Sequence, residues 1–328
     1  MDREKYVVVI GASNIDIGGH PHRPLIFADS NPGRITVSFG GVGRNIAHNL
    51  SKLGVNTKLI TAAGNDVLGR EMMQQCINAG IDIEYSITDL DEKSSMYLYI
   101  NDEKGEMSVA VSHVDIINVI TPEYIDSVES VINNAAAVVM DCNVSHDTFI
   151  HLKEICRVPL YVDTVSITHA EKIKGYLEGI NTLKPNRYEA EYLTDIKIEN
   201  PEDYYEAARS LIDQGVENVY ISDESKGILA ADRNGIYKIR RYPAHVISTT
   251  GAGDSAMAAI VWASLNGRNI CDTAKAANAV AAITIEVNET INPHLNNESA
   301  VERIKSYDPV VVNANVLVDH SENEKVYQ

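Results

Sequence analysis

Short apolar runs separated by segments of helical period set the pattern of this chain. Residues 6–10 (YVVVI), 57–61 (TKLIT), 137–141 (AVVMD), 159–163 (PLYVD), 181–184 (NTLK) and 218–222 (NVYIS) are largely β-branched or apolar, which predicts strands buried on both faces. Between the first two, RNIAHNLSKLG places Ile46, Leu50 and Leu53 at helical spacing and stops at Gly54. TPEYIDSVESVINNA, residues 121–135, opens with a threonine cap, a proline at the first helical position and an acidic first turn, which predicts a helix there. This β–α alternation implies an α/β fold, a doubly wound and mainly parallel sheet flanked by helices. Residues 1–308 read as one domain, with 309–328 as a tail or an added edge strand.

Two stretches break the alternation. Residues 15–39 carry three prolines, three glycines and no helical period. Residues 94–112, SSMYLYINDEKGEMSVAVS, alternate apolar positions on either side of an NDEKGE turn and read as a β-hairpin. Together they suggest a small second sheet, built from separated pieces and lying over one edge of the site, with ordinary peripheral hairpins as the alternative. After Val261 the chain reads as helical, through DTAKAANAVAAITIE and ESAVERIKS.

Composition narrows the function classes. With 328 residues, 45 % apolar and 23 % charged, the chain reads as soluble and globular. No apolar run reaches membrane-spanning length, and MDREKYVVVIG is too short and acidic for a signal peptide. The four cysteines are scattered without a CxxC pair, as expected of free thiols in a reducing cytoplasm. A net charge of −18 disfavours nucleic acid and anionic membranes as partners. A phosphorylated ligand would have to be attracted locally, by helix N-termini and a divalent cation.

The candidate chemistry lies in STTGAGDSAMAAIV, residues 248–261. AHVISTT reads as a strand or turn, and DSAMAAIVWASL as a helix apolar nearly all round. The glycines fall at the junction, so the amides of Ala252, Gly253 and Asp254 stand unpaired at a helix N-terminus, an arrangement that favours an anion. Asp254 either caps the first turn or serves as a base. A Walker loop is excluded, because the chain contains no Gly-Lys pair. Gly251, Gly253 and Ala256 satisfy the dinucleotide pattern G-x-G-x-x-A, but the region that follows is helical and no parallel strand comes after it. Phosphoryl transfer to a hydroxyl suits the residues better: amides neutralise the migrating phosphate, and Asp254 accepts the hydroxyl proton.

GGVGRNIAHNLSKLG (40–54) and STTGAGDSAMAAI together resemble the two signatures of the ribokinase-like (PfkB) family of sugar and nucleoside kinases, a likeness extending over roughly residues 5–305. The resemblance implies a ribokinase-like fold with a small β-sheet lid, and ATP with Mg2+ as co-substrate and cofactor. It assigns the base to Asp254 and the anion hole to Gly251, Ala252 and Gly253. It places Asn14, Asp16, Gly40, Gly41 and Asn45 on the sugar. KPNRYEAE resembles the NxxE motif, giving Asn186 and Glu189 to hydrated Mg2+. Ser222, Gly227 and Asn278 would lie on the nucleotide side, although SDESKG departs from the glycine-rich loop usual there, and Asn278 reads equally as a helix-surface residue. Ser248 stands where the family usually has Asp, at a position tied to a monovalent cation; with Thr250 it is the candidate for K+. The lid often mediates dimerisation in the family, which implies a homodimer.

Within the family the finer likeness is to pseudouridine kinases, carried by ADSNPGRITVSFGGVGRNIAHNL, SSMYLYINDEKGEM, DCNVS, VDTVS and TLKPNRYEAE. It implies ATP-dependent phosphorylation of the 5′-hydroxyl of pseudouridine. Ribokinase or another nucleoside kinase is the nearest alternative; a dehydrogenase or a non-catalytic nucleoside-binding protein is a remote one. Ser30 and Asn31 would face the uracil or simply form the DSNPG turn, and Asn143 would reach the nucleoside from the end of a strand. Lys226 and His113 read as surface residues.

Overall fold

A computed structural model describes residues 5–88, 91–223 and 226–313. Among the described residues thirteen strands form two sheets. The six expected core strands are β1 (Val7–Ile10), β4 (Thr57–Ile60), β7 (Ala137–Asp141), β8 (Leu160–Asp163), β9 (Thr182–Lys184) and β10 (Asn218–Asp223). They pair in parallel, in the spatial order β4-β1-β7-β8-β9-β10. Beyond β10 the sheet continues antiparallel through β11 (Gly227–Ala231), β12 (Ile236–Ile239) and β13 (Val311–Asn313).

Helices cover both faces, and the strand period shows how. Val8 and Ile10 point into one core with Val138, Met140 and Phe149, whereas Val7 and Val9 point into the other with Ile46, Leu50 and Ile260. The first face is covered by α3 (Pro122–Ser127), α4 (Glu129–Asn133), α5 (His146–Ile155), α6 (Ile167–Ala170), α7 (Arg187–Thr194) and α8 (Pro201–Asp213). The second is covered by α1 (Val42–Lys52), α2 (Val67–Asn78), α9 (Ala252–Leu265), α10 (Ile270–Thr284) and α11 (Asn297–Ser306). A continuous apolar run therefore means a strand buried twice. Helix α9 packs against both α1 and α10, so its nearly all-round apolar surface has partners on several sides.

The two inserts combine into the second sheet, ordered β3-β2-β5-β6. Here β2 is Asn14–Pro21, β3 Gly33–Gly40, β5 Met96–Asn101 and β6 Met107–His113. Pairing is antiparallel except between β2 and β5. The register divides it into two unlike faces. Asn14, Asp16, His20, Thr36, Ser38, Tyr97 and Tyr99 share one; Ile15, Ile17, Val37, Phe39, Leu98 and Val111 share the other.

Some expectations need correction. Residues 121–135 form two short helices: Thr121 does cap the first, but Ser127 Oγ bonds back to Tyr124 O, and Val128 leaves the helical region at φ −112°, ψ 10°. Of the strand or turn expected in AHVISTT, the strand is absent and Thr250 lies in a turn. The β11–β12 hairpin was not anticipated, although Asn234-Gly235 between apolar runs is a turn signal. Part of the C-terminal stretch is the edge strand β13; residues 314–328 lie outside the described residues. All four cysteines are free, with Cys76 and Cys142 buried and the other two half-buried. Among the described residues no helix is long and apolar enough to cross a membrane.

Candidate active site

The C-terminal ends of the parallel strands and the start of α9 enclose a cleft of about 420 Å3. Its walls include Asp163, Lys184, Asn186, Glu189, Asp254 and Asn278. This is the side of an open α/β sheet on which ligands bind.

At the phosphate end, Gly251 is the N-cap of α9 at φ 81° with no side-chain cap. A Cβ there would meet the Thr290 carbonyl as well as the left-handed backbone, so the turn requires glycine. The expectation of three open amides is corrected by one. Ala252 N–H donates to Thr249 O at 3.3 Å, while among the described residues the amides of Gly253 and Asp254 meet no acceptor. Gly253 is exposed and Asp254 half-buried. Open amides at a helix terminus beside a bare glycine fit a phosphate.

The Asp254 carboxylate does not cap its helix. Its Oδ2 accepts from Asn45 Nδ2 at 2.8 Å, across 209 residues of chain. The orientation of Asn45 follows from its neighbour: the buried guanidinium of Arg44 donates to Asn45 Oδ1 at 3.2 Å and to Phe39 O at 2.7 Å. Burial pushes the Asp254 pKa up to about 7, and the Asp163 charge adds to it; Asn45 and Lys184 pull the other way. A carboxylate with that pKa can take up and release a proton near neutrality.

Outside that lining, Asn14 Nδ2 donates to Asp16 Oδ1 at 2.6 Å, and the buried Asn14 Oδ1 meets no partner among the described residues. A Cβ on Gly40 would overlap the Asp16 carboxylate. Burial raises the Asp16 pKa despite its hydrogen bond from Asn14 and the Arg44 charge. Gly41 starts α1 at φ 92° with its Cβ position against Ala12 O and Ser13. Beneath them lies Asp141, whose Oδ2 accepts the amides of Ala12 and Gly43 at 2.9 and 2.7 Å, and whose Oδ1 accepts that of Asn143 at 2.9 Å. One buried carboxylate thus ties the end of β1, the start of α1 and the end of β7 together.

On the third side, Asn186 and Glu189 form a capping box on α7, with Asn186 N–H and Nδ2 each donating to a Glu189 oxygen at 2.7 Å. Thr164 Oγ1 donates to Glu189 Oε2 at 2.5 Å. Glu189 is buried, and burial raises its pKa. With both oxygens already engaged, the pair suits a metal ion held through water. No group of three or more metal-ligating carboxylates, histidines or cysteines occurs among the described residues. Ser222 and Gly227 also line the cleft. Asn278 is buried rather than on a helix surface, and its Nδ2 donates to Ile239 O at 3.1 Å. Ser248 Oγ accepts from Thr250 N–H at 3.3 Å in the loop before α9.

The lining leaves out Asn14, Asp16, Gly40, Gly41, Asn45, Ser248, Thr250 and Gly251, and with them Ser30, Asn31 and Asn143. Asn31 closes a turn, accepting from Ile26 N–H at 2.8 Å and donating to Ile26 O at 2.9 Å, and Ser30 is exposed beside it. Asn143 folds back on Asp141, and its carbonyl accepts from Lys172 Nζ at 2.8 Å. Lys226 pairs with Asp223 at 3.2 Å and His113 with Glu92 at 3.7 Å, all four at the surface or close to it. Sequence reasoning missed Asp141, Asp163 and Lys184. Their signal was a charged residue ending a buried strand, three times over, in AVVMD, PLYVD and NTLK.

Known proteins bear on this geometry. The chain is 35 % identical over 307 residues to the pseudouridine kinase of Escherichia coli K12, covering 93 % of this chain and 98 % of that protein. A solved structure of a candidate sugar kinase from Clostridium perfringens superposes with TM-score 0.86 at 30 % identity, covering 95 % of this chain and 99 % of the other. Ribokinase of Arabidopsis thaliana, solved with ribose and ATP, shares the fold with TM-score 0.83 at 23 % identity, covering 92 % and 99 %. The pfkB carbohydrate kinase family model matches residues 4–297, which contain both glycine-rich turns and every wall of the cleft named above: the chain belongs to the pfkB family of carbohydrate kinases.

Proposed function

We propose that this protein transfers the terminal phosphoryl group of ATP to the 5′-hydroxyl of pseudouridine, giving pseudouridine 5′-phosphate and ADP. The observation that carries the reading is the Asp254 carboxylate, poised near neutrality beside open α9 amides and linked through Asn45 to the sugar-side signature. The nucleoside is suggested by the E. coli relative, a pseudouridine kinase.

Asp254 accepts the proton of the 5′-hydroxyl as that oxygen attacks phosphorus in line. The bond from phosphorus to the ADP oxygen breaks, and its electron pair leaves with ADP. The amides of Gly253 and Asp254 meet the charge that builds on the phosphoryl oxygens. Asn14 and Asp16 hold the ribose hydroxyls, where a missing hydroxyl would strand buried polar partners. Asn186 and Glu189 would hold Mg2+ through water, and the ion would neutralise charge on the phosphates. Ser222, Gly227 and Asn278 border the nucleotide.

The polar lid face, with Asp16 on it, turns toward the nucleoside. The opposite face leaves Ile35, Val37, Leu98, Val109 and Val111 exposed, and a second copy of the chain covers it in a homodimer. ADP release across pseudouridine, uridine, adenosine, ribose and fructose tests the substrate. Pseudouridine should give the highest kcat/KM, and a clear preference for any other acceptor overturns the assignment.

A further inference from the structure

One buried positive charge of the cleft has no part in the steps above. Lys184 ends β9 with its side chain 6 % exposed, and its Nζ lies 3.0 Å from Asp163 Oδ2, equally buried. Asp163 ends the neighbouring strand β8, in register with Lys184. Its other oxygen accepts the Val165 amide at 3.0 Å. Val165 holds φ 65°, a left-handed conformation that β-branched residues rarely adopt. Such strain persists where the surroundings over-determine it, most often at functional sites. The Val165 amide thus fixes Asp163 through Oδ1, while the buried Oδ2 makes no hydrogen bond and meets the ammonium as an ion pair.

The ammonium also faces the anion-binding turn. A side-chain carbon placed on Gly253 would stand 3.6 Å from Nζ, so a ligand on the open amides of Gly253 and Asp254 sits beside Lys184. The local balance of charge makes this contact matter. Asp163, Glu189 and Asp254 all line the same cleft in a chain of net charge −18. A helix N-terminus offers only about half a positive charge. A buried ion pair is weak evidence of stabilisation, since apolar replacements are often neutral or better; a ligand gives this pair a reason.

We infer that Lys184, positioned by Asp163, binds the transferred phosphoryl group of a nucleoside triphosphate between Gly253 and Asp254. This rests on the kinase reading of the cleft but not on the identity of the acceptor. Lys184 forms no covalent bond and gives up no proton; it neutralises charge that grows as the phosphoryl group moves.

Three proteins test it: wild type, Lys184→Met, and the double variant Asp163→Asn/Lys184→Met, which removes the buried carboxylate left without a partner. ATP and ADP binding are measured by calorimetry without acceptor, and turnover with the best acceptor of the wild type. Lys184→Met should weaken ATP binding roughly 10–100-fold, the worth of one charged hydrogen bond, while ADP binding changes far less. Its kcat should fall about 10²–10³-fold, as when one oxyanion donor is lost. The double variant should recover thermal stability lost by the single one without recovering kcat. If it regains near-wild-type turnover, Lys184 is only the counter-ion of Asp163 and the inference fails. Equal weakening of ATP and ADP also overturns it. A wild type that binds both nucleotides yet ignores pseudouridine overturns the substrate reading alone.

Discussion

Strands β1 and β2 are neighbours in sequence and opposites in design. All four residues of β1 are buried, because helices cover both faces of the central sheet. In β2 the alternation separates Ile15 and Ile17 from Asn14 and Asp16 on the other face. The central sheet is a platform whose strand ends carry the charges of Asp163, Lys184 and Asp223 into the cleft. The second sheet is thin, with polar groups on one face and exposed apolar groups on the other. The difference teaches where mutations should separate chemistry, stability and assembly.

The largest expected effect lies on the platform. Asp254→Asn should lower kcat by about 10²–10⁴, the usual worth of a positioned base, with folding intact by circular dichroism; near-normal turnover would remove Asp254 from its role. The core beneath should answer in stability instead. Ile10→Ala deletes a fully buried side chain and should cost about 2–5 kcal/mol in denaturant unfolding, whereas Ile77→Ala on the exposed face of α2 should stay within about 0.5 kcal/mol.

On the polar face of the lid, Asp16→Asn should raise KM for the nucleoside roughly 10–100-fold, the range for a hydrogen bond to a charged group, with a smaller change in kcat. An equal loss in both would place Asp16 in the chemistry rather than in binding. On the apolar face, Val37→Asp should shift the protein from dimer to monomer in sedimentation while leaving the monomer folded. A wild type already monomeric would remove the partner from the comparison.

The smallest effect follows from pH. The Asp254 pKa rises from 3.8 to about 7 on folding, so its contribution to stability is fully present below 3.8 and is lost as pH climbs through 7. Asp254→Asn should therefore gain thermal stability relative to wild type at pH 8 and lose that advantage near pH 4. In wild type the same protonation should give kcat/KM an acidic limb near pH 7, falling tenfold per unit below it.

Much of the platform was legible in the sequence, since continuous apolar runs can be buried only between two layers. GAGD and GGVGRN were legible because a turn that needs left-handed backbone or close approach selects glycine over every other residue. Elsewhere local pattern was outweighed. Residues 121–135 carry sound helix-start chemistry, yet Val128 breaks the run where its side chain packs into the core. Glu189 has the spacing of a solvated helix position and is buried by Thr164 and Asn186. Lys184 looked like the last residue of a strand, because nothing in NTLK announces Asp163 beside it.

The sequence by itself determined the six parallel core strands, the glycine turns and the family, since each depends on residues within a few positions of one another or on a motif read whole. Only the tertiary structure decided which charges meet. The Asn45–Asp254 bond, the three amides on Asp141 and the Asp163–Lys184 pair join residues from different elements. Their energies depend on burial and separation, and neither quantity exists until the chain has folded.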